Sequence, residues 1–534
     1  MTFWADDIAR SLPRDVAHTI HDSKTPSGTV PFGHLRGPVI SDAVYRACLR
    51  NGLSVRFVYG VDDMDPMDAA TMRLNETLAP HMGKPLWTIP APDGSGDFGW
   101  YHAQRYIGTF AGLGIRPEFY RGRDMYREGR FDRSIDLVLR RADRVREVYR
   151  EVANVKRPDD WLPIQVICEN CGRVGTTYGR DYDGTTIAYE CLLDRKAFGR
   201  DDEVVQWANG CGHTGRISPF GGRAKLPYNV EWCAKWDHFS VTWEEAGKDL
   251  MTAGGSRERS NALYRAVWEK EPPAGIFHEF FTLGGKKMST SKGIGAAAHE
   301  LAELYPPDLV RFLMLRTPPQ RHVEFDPAGM TLPRLVDEYD RAADAYIADP
   351  AGDLSSVWAF AQLTGDPTPV PFRVRFSIVA DWLQIPSVDP AAKAAERKGG
   401  PLTDGEAADL ERRIALARVW LDRWAPDEAR FTVQDSLPEA ARDLTPAQRR
   451  FLGRAAEVVG TTSAAEELQA KLYAAAREVG LTEGEKVSRD AFAAIYLALL
   501  GKPMGPRAAW LLGTLDPEFV RQRFREAAMD GALA

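Results

Sequence analysis

Cysteine is scarce in this chain, six residues in 534, which excludes a small fold stapled by disulfides. No apolar run approaches the roughly 18 residues that a membrane-spanning helix needs. The opening residues, MTFWADDIARSLPRDV, lack the basic start and apolar core of a secretory signal. A soluble, cytoplasmic protein without a membrane partner is therefore expected. Positive charge is not in excess either: the net charge is −7, which argues against nonspecific coating of nucleic acid but leaves a local basic surface available to RNA. No tandem repeat or low-complexity tract interrupts the chain.

What is present is an ordinary globular composition, 44% apolar and 27% charged, in a chain too long for a single core. At about 150 residues per domain it should divide into three or four domains. The stretch TPSGTVPFGHLRG, Thr25 to Gly37, holds three glycines, two prolines and one histidine. Its glycines, Gly28 and Gly33 among them, allow a ligand to approach the backbone. The next run, PVISDAVYRACLRNG, has helical spacing, so the loop should sit at a helix N-terminus, where phosphates bind. LSVRFVYGVDDMDPMD then reads as a buried parallel strand with Asp62, Asp63 and Asp65 at its carboxyl end. Strand, glycine-rich loop, helix, strand opens a doubly wound sheet, whose ligands bind outside the carboxyl ends of the strands.

Helical periodicity runs from Phe131 to Val155 with a basic face of Arg140, Arg141, Arg144, Arg146 and Arg150. That face is either solvated and ion-paired or a contact to an RNA strand. From Leu162 to about Phe220 short strands, turns and cysteines suggest an insertion. A strand-like parallel-sheet pattern resumes in KLPYNVEWCAKWDHFSVTWEEAGKD, and after Gly293 the chain is largely helical. Residues 361–401 are rich in Pro and Gly and should hold a linker or long loops.

Two motifs carry further chemistry. CENC, Cys168 to Cys171, is a metal-type knuckle, and CGH offers Cys211 and His213 to complete a Cys3His set for one structural zinc ion, with Cys191 as the competing ligand. Asn209 stands where a second knuckle would have a cysteine. GGKKMSTSKG, Gly284 to Gly293, is a cationic loop able to follow charge on a departing pyrophosphate.

KMSTS, Lys287 to Ser291, resembles the KMSKS signature of class I aminoacyl-tRNA synthetases, and PFGH, Pro31 to His34, occupies the place of their HIGH signature. With KLPYNVEWCAKW, AGKDLMTAGGS, PPDLVRFLMLR and AFAAIYLALLGKPMGPR in the same order, the chain resembles the class I lysyl-tRNA synthetases almost end to end. The resemblance implies a Rossmann-type doubly wound parallel-sheet catalytic domain with a cysteine-bearing insertion, followed by a mainly helical C-terminal region. Its parts would be the catalytic domain at 1–115 and 223–285, the insertion at 116–222, a KMSKS-loop region at 286–350 and an anticodon-binding domain at 351–534.

It further implies ATP with Mg2+, lysine and lysine tRNA as substrates and partners, and one structural zinc ion in the insertion; a chain that supplies every domain itself can act as a monomer. By motif position, His34, Lys287, Ser289 and Ser291 would be catalytic. Gly28, Gly33, His34, Gly247, Asp249, Lys287 and Lys292 would bind ATP, with Gly254, Gly255 and Ser256 as a small-residue turn nearby. For lysine, Asp62, Asp63 and Glu231 are the carboxylates available to the ammonium, and Trp232 and Trp236 the apolar walls. Pro31 departs from the pattern, since it stands where HIGH begins with histidine, and losing one positioned donor can cost on the order of 10²-fold in rate. Alternatives of other classes are a degenerate RNA-binding paralogue and a nucleotidyltransferase of small carboxylates.

Overall fold

The computed structural model describes residues 3–68, 75–194, 208–287, 297–364, 367–385, 388–462 and 464–529. The chain forms two compact units, residues 1–325 with 345–367, and residues 326–344 with 368–534. The division at 367/368 falls inside the Pro/Gly-rich stretch. Among the described residues no helix is long and apolar enough to cross a membrane.

The first unit is built on a four-stranded, wholly parallel sheet: β1 (His18–Lys24), β2 (Val55–Val61), β3 (Glu118–Arg121) and β4 (Trp243–Glu244), in the spatial order β3-β2-β1-β4. This is the doubly wound Rossmann-type arrangement. Its register is set by apolar residues that must be buried on both faces, as where Ile20 lies between Phe57 and Trp243. The chain winds outward from β1 through β2 to β3 and later returns to add β4 on the other side of β1. That reversal makes the crevice outside the carboxyl ends of β1 and β4 the ligand position for this topology.

Helix α1 (Arg36–Arg50) follows the glycine-rich loop through a short 3-10 turn, Phe32–Leu35. Helix α2 (Phe98–Gly112) starts at Asp97, whose side chain accepts from the Trp100 amide. The strand-like reading of YNVEWCAKWDHF is overturned: these residues are helix α3 (Tyr228–Phe239), entered through Pro227 and closed by Ser240 at φ 52°. Val230, Glu231, Trp232, Cys233, Ala234, Lys235 and Trp236 are all buried. A helix covered on every side has no apolar stripe, so the 3.6-residue period is missing from its sequence. The basic periodic stretch is two helices, Asp132–Arg140 and Ala142–Ala153, and all five of its arginines make intramolecular contacts, among them Arg144 to Glu269 and Arg146 to the Trp161 carbonyl.

The cysteine-bearing segment carries an antiparallel sheet of three strands, Thr177–Tyr182, Ile187–Cys191 and Thr214–Ile217. The second unit is mainly helical. Its core gathers Phe451, Leu472, Ile495, Leu511 and Phe524, and its longest helix from 368 onward, Asp404–Arg423, is opened by a capping box between Thr403 and Glu406. Between its helices Arg489–Leu500 and Ala508–Thr514, the turn at Gly505 packs against Leu500 and Tyr496, and Tyr496 donates to the Pro506 carbonyl at 2.5 Å.

Candidate functional site

The crevice at the sheet's switch point opens into a cavity of about 360 Å³. Its floor comes from the two strand ends that the topology brings together: Asp22, Ser23 and Lys24 from β1, and Glu244 of β4 with Glu245 just after it. Gly33 and His34 of the glycine-rich loop form one wall, and Gly247 and Asp249 form another. Four expected ATP-site residues, some 210 positions apart in sequence, therefore face one space. Gly28 does not line it, and Gly254 and Gly255 lead into the helix Ser256–Leu263 instead. Lys287 ends the strand Lys286–Lys287; Ser289, Ser291 and Lys292 lie outside the described residues.

The loop is held at both ends. Arg36, fully buried, donates to the carbonyls of Glu279 at 2.9 Å, Pro318 at 3.1 Å and Arg321 at 2.9 Å. Tyr106 donates to the His34 carbonyl at 2.7 Å, and Lys24 Nζ stands 3.3 Å from His34 Nδ1. Pro31 forms an antiparallel bridge with Ala297.

Beneath the cavity Glu244 is the centre of a buried network. Its carboxylate accepts from His21 Nδ1 at 2.6 Å, Trp232 Nε1 at 2.6 Å, Trp236 Nε1 at 2.7 Å and Arg257 at 3.1 Å. Burial works to raise its pKa, but the His21 and Trp236 hydrogen bonds and the charges of His21 and Arg257 win, and the group sits below the usual range. Asp22 is the reverse case: burial first, then the neighbouring Glu245 and Glu244, push its carboxyl well above the usual range. Glu245 is 5% exposed and bonds His278 Nδ1. Gly37, in the first turn of α1, stands against this pair: a Cβ there would lie 2.6 Å from Glu245 Oε1 and 3.5 Å from Asp22 Oδ2.

The three carboxylates expected to meet the substrate ammonium do not line the cavity. Asp62 is bound by Lys235 at 2.6 Å. Glu231 accepts from Lys225 at 2.7 Å, Lys235 at 3.2 Å and Tyr126 at 2.7 Å. Asp63 holds Arg121 and caps the start of the helix Gly122–Arg127 by accepting from the Arg123 amide at 2.8 Å. Of the two tryptophans, Trp232 borders the cavity and Trp236 lies wholly within the core. Sequence reasoning missed Asp22, Lys24 and Glu245, although position relative to the strand ends was the available signal: Asp22 and Lys24 close β1 immediately before the loop.

Away from the cavity, the sheet of the insertion gathers four thiols, Cys168, Cys171, Cys191 and Cys211, with all sulfurs within 4.8 Å of one another. Cys168 and Cys211 are 3.7 Å apart, as are Cys171 and Cys191. This corrects the expected Cys3His set. The His213 ring lies against Tyr189 rather than among the sulfurs, and its carbonyl accepts from the Cys191 amide at 2.8 Å. Cys191 supplies the fourth donor because it ends a strand that pairs with both neighbours. A hydrogen bond from Asn170 brings the Cys211 thiol down to about 6, whereas burial pushes Cys191 up to about 12.

Comparison with known proteins places this geometry in context. A family model described as tRNA synthetases class I (K) matches residues 2–362. The chain is 34% identical to the lysine–tRNA ligase of Archaeoglobus fulgidus, covering 98% of this chain and 99% of that protein. It is 32% identical to lysine–tRNA ligase 1 of Methanosarcina acetivorans, covering 98% of each. A solved glutamate tRNA ligase from Elizabethkingia meningosepticum aligns with 96% of this chain and 99% of its own at 12% identity, with a TM-score of 0.41.

Proposed function

We propose that this chain, which belongs to the class I tRNA synthetases of the lysine type, is a lysine–tRNA ligase that activates lysine with ATP in the switch-point cavity and passes the lysyl group to lysine tRNA. The observation that carries the reading is the convergence of Gly33, His34, Gly247 and Asp249 on one cavity at the carboxyl ends of β1 and β4. ATP lies across these walls: Gly33 admits the adenine to the backbone, Asp249 accepts from the ribose hydroxyls, and His34 donates to phosphate. Lys287, Ser289, Ser291 and Lys292 follow the departing pyrophosphate. Magnesium accompanies the triphosphate as its counter-ion.

The amino acid takes the end of the cavity floored by Asp22 and Glu245. These carboxylates face open volume, whereas Asp62, Asp63 and Glu231 are already engaged by cations of the same chain. Trp232 and Tyr59 offer flat walls to a methylene stem. The helical second unit is assigned to the anticodon end of the tRNA.

The four thiols fit one structural zinc ion. Zn–S bonds of about 2.3 Å in a tetrahedron put sulfurs about 3.8 Å apart, close to the 3.7 Å of the Cys168–Cys211 and Cys171–Cys191 pairs. Such an ion fixes the insertion and leaves no open position for substrate. The test of the whole reading is lysine-dependent exchange of pyrophosphate into ATP, followed by charging of lysine tRNA. Exchange with lysine and with no other amino acid is expected; its absence overturns the proposal.

A further inference from the structure

We propose that Lys24 is a catalytic residue of the adenylation step, placing beside His34 the positive charge that Pro31 cannot supply to the reacting phosphate. The inference rests on the lysine–tRNA ligase reading of the cavity.

Lys24 is the last residue of β1, and its side chain enters the cavity next to Gly33 and His34. Its Nζ is 3.3 Å from His34 Nδ1. An ammonium offers only hydrogens, so Nδ1 is the acceptor and the proton of the neutral imidazole resides on Nε2. The lysine thereby fixes the tautomer that makes His34 an N–H donor through Nε2. The loop presents one imidazole and one ammonium where the HIGH pattern has two imidazoles. Pro31 contributes backbone only, through its bridge to Ala297, while Val30 accepts from the Ala298 amide at 2.9 Å.

The other two lysines of this core show what a structural lysine looks like here. Lys225 is ion-paired to Asp65 at 2.9 Å and to Glu231 at 2.7 Å, and Lys235 to Asp62 at 2.6 Å and to Glu231 at 3.2 Å. Lys24 instead meets a ring nitrogen on the wall of an open cavity. Burial draws its pKa below the usual lysine range, and Asp22, Asp249 and Asp62 draw it back. The simple structural role, a counter-charge for those acids, predicts a loss of folding stability without a specific loss of chemistry.

In the step itself a carboxylate oxygen of lysine bonds to the α-phosphorus as the bond from that phosphorus to the bridging oxygen breaks. Pyrophosphate leaves with that oxygen and the electron pair. Negative charge grows on the phosphate oxygens, and Lys24 stabilises it without forming a bond or giving up a proton. Stabilisation that appears only in the transition state raises kcat rather than tightening substrate.

The experiment compares the full chain with Lys24→Met, Lys24→Gln and Lys24→Met combined with Pro31→His. Lysine-dependent ATP/pyrophosphate exchange is resolved into kcat and the two KM values, with thermal melting as a check of the fold. Lys24→Met should lower kcat about 10²- to 10³-fold, with the KM for lysine little changed. Adding Pro31→His should recover about tenfold or more, because the missing imidazole is restored. An undiminished kcat, a loss confined to the KM for lysine, or a folded variant that Pro31→His does not rescue overturns the proposal. If Lys24→Met does not fold, Lys24→Gln, neutral and similar in length, carries the same expectation. A wild-type chain without lysine-dependent exchange overturns the ligase reading too, whereas normal wild-type exchange with an indifferent Lys24→Met overturns this inference alone.

Discussion

Two clusters of charge sit near the carboxyl ends of the same sheet and follow opposite plans. In the first, Asp62, Asp65 and Glu231 share Lys225 and Lys235, and every carboxylate has an ammonium within 3.2 Å. Tyr126 and Thr25 fill remaining acceptor positions. In the second, Asp22 and Glu245 crowd one another beside a cavity, with Lys24 turned to His34 and His278 bonded to Glu245. Glu231 is held down to about 2 by its lysines against the effect of burial, whereas burial and like charge drive Asp22 up. Charge neutralised within the chain serves the fold. Charge left facing a cavity is binding capacity waiting for an external cation.

Breaking the closed cluster should have the largest effect. Glu231→Gln leaves two buried lysines to the remaining acids, and removing one partner of a buried pair costs about 3–5 kcal/mol, measurable as a fall in denaturation midpoint. Because the folded pKa of Glu231 is depressed, its contribution is complete above the ordinary range near 4.5 and is lost as pH falls toward about 2. Wild type and variant should therefore converge in acid. Retention of wild-type stability at neutral pH would show the cluster to be dispensable.

Asp22→Asn should behave in the opposite sense. A carboxyl with a raised folded pKa favours the fold only while protonated, so its contribution is present below the unfolded value and lost as pH rises. At neutral pH the asparagine variant should melt no lower than wild type, and any advantage should shrink as pH falls toward about 4, below which the two should converge. Its KM for lysine should rise about 10- to 100-fold, the range of one charged hydrogen bond, with kcat nearly kept. A drop in melting temperature with unchanged KM would move Asp22 into the structural class.

The contrast also explains which features were legible in the sequence. The glycine-rich loop, the strand ending in acids and the doubly wound sheet follow from local period and turn residues, and they stand where the chain order put them. Helix α3 was misread because burial on all sides erases its period. The choice among carboxylates was beyond the sequence for another reason. Asp62 and Lys235 are 173 positions apart, and Asp65 and Lys225 meet only through the folded sheet and α3. An acid's availability depends on such partners, and no local pattern encodes them.

Gly37 sharpens the open side of the comparison at smaller cost. Its helical backbone needs no glycine, so the pressure for one is spatial: the added methyl of Gly37→Ala falls 2.6 Å from Glu245 Oε1. The carboxylate must swing away or lose its bond to His278. The KM for lysine should rise about tenfold, the equivalent of roughly 1.4 kcal/mol, while the ATP KM stays within twofold or so. Equal changes in both KM values would mean that the amino-acid end of the cavity has been misassigned.

The smallest effect is expected at the cysteine cluster, and there the informative result is a pair. Cys191→Ser removes a sulfur from a set in which Cys168 and Cys211, and Cys171 and Cys191, stand 3.7 Å apart, so zinc per chain should fall clearly below the value of about one expected for a filled tetrahedron. His213→Ala should leave zinc content unchanged, because the ring packs on Tyr189 and only the His213 carbonyl supports the cluster, a contact that alanine keeps. Pyrophosphate exchange should change little in either, since none of these residues lines the cavity. Sequence spacing favoured His213 because it lies two residues after Cys211; the strand pairing favours Cys191, which is twenty residues from both Cys171 and Cys211. Loss of zinc in His213→Ala with retention in Cys191→Ser would restore the ligand set suggested by spacing alone and show that the sulfur cluster is a by-product of the sheet.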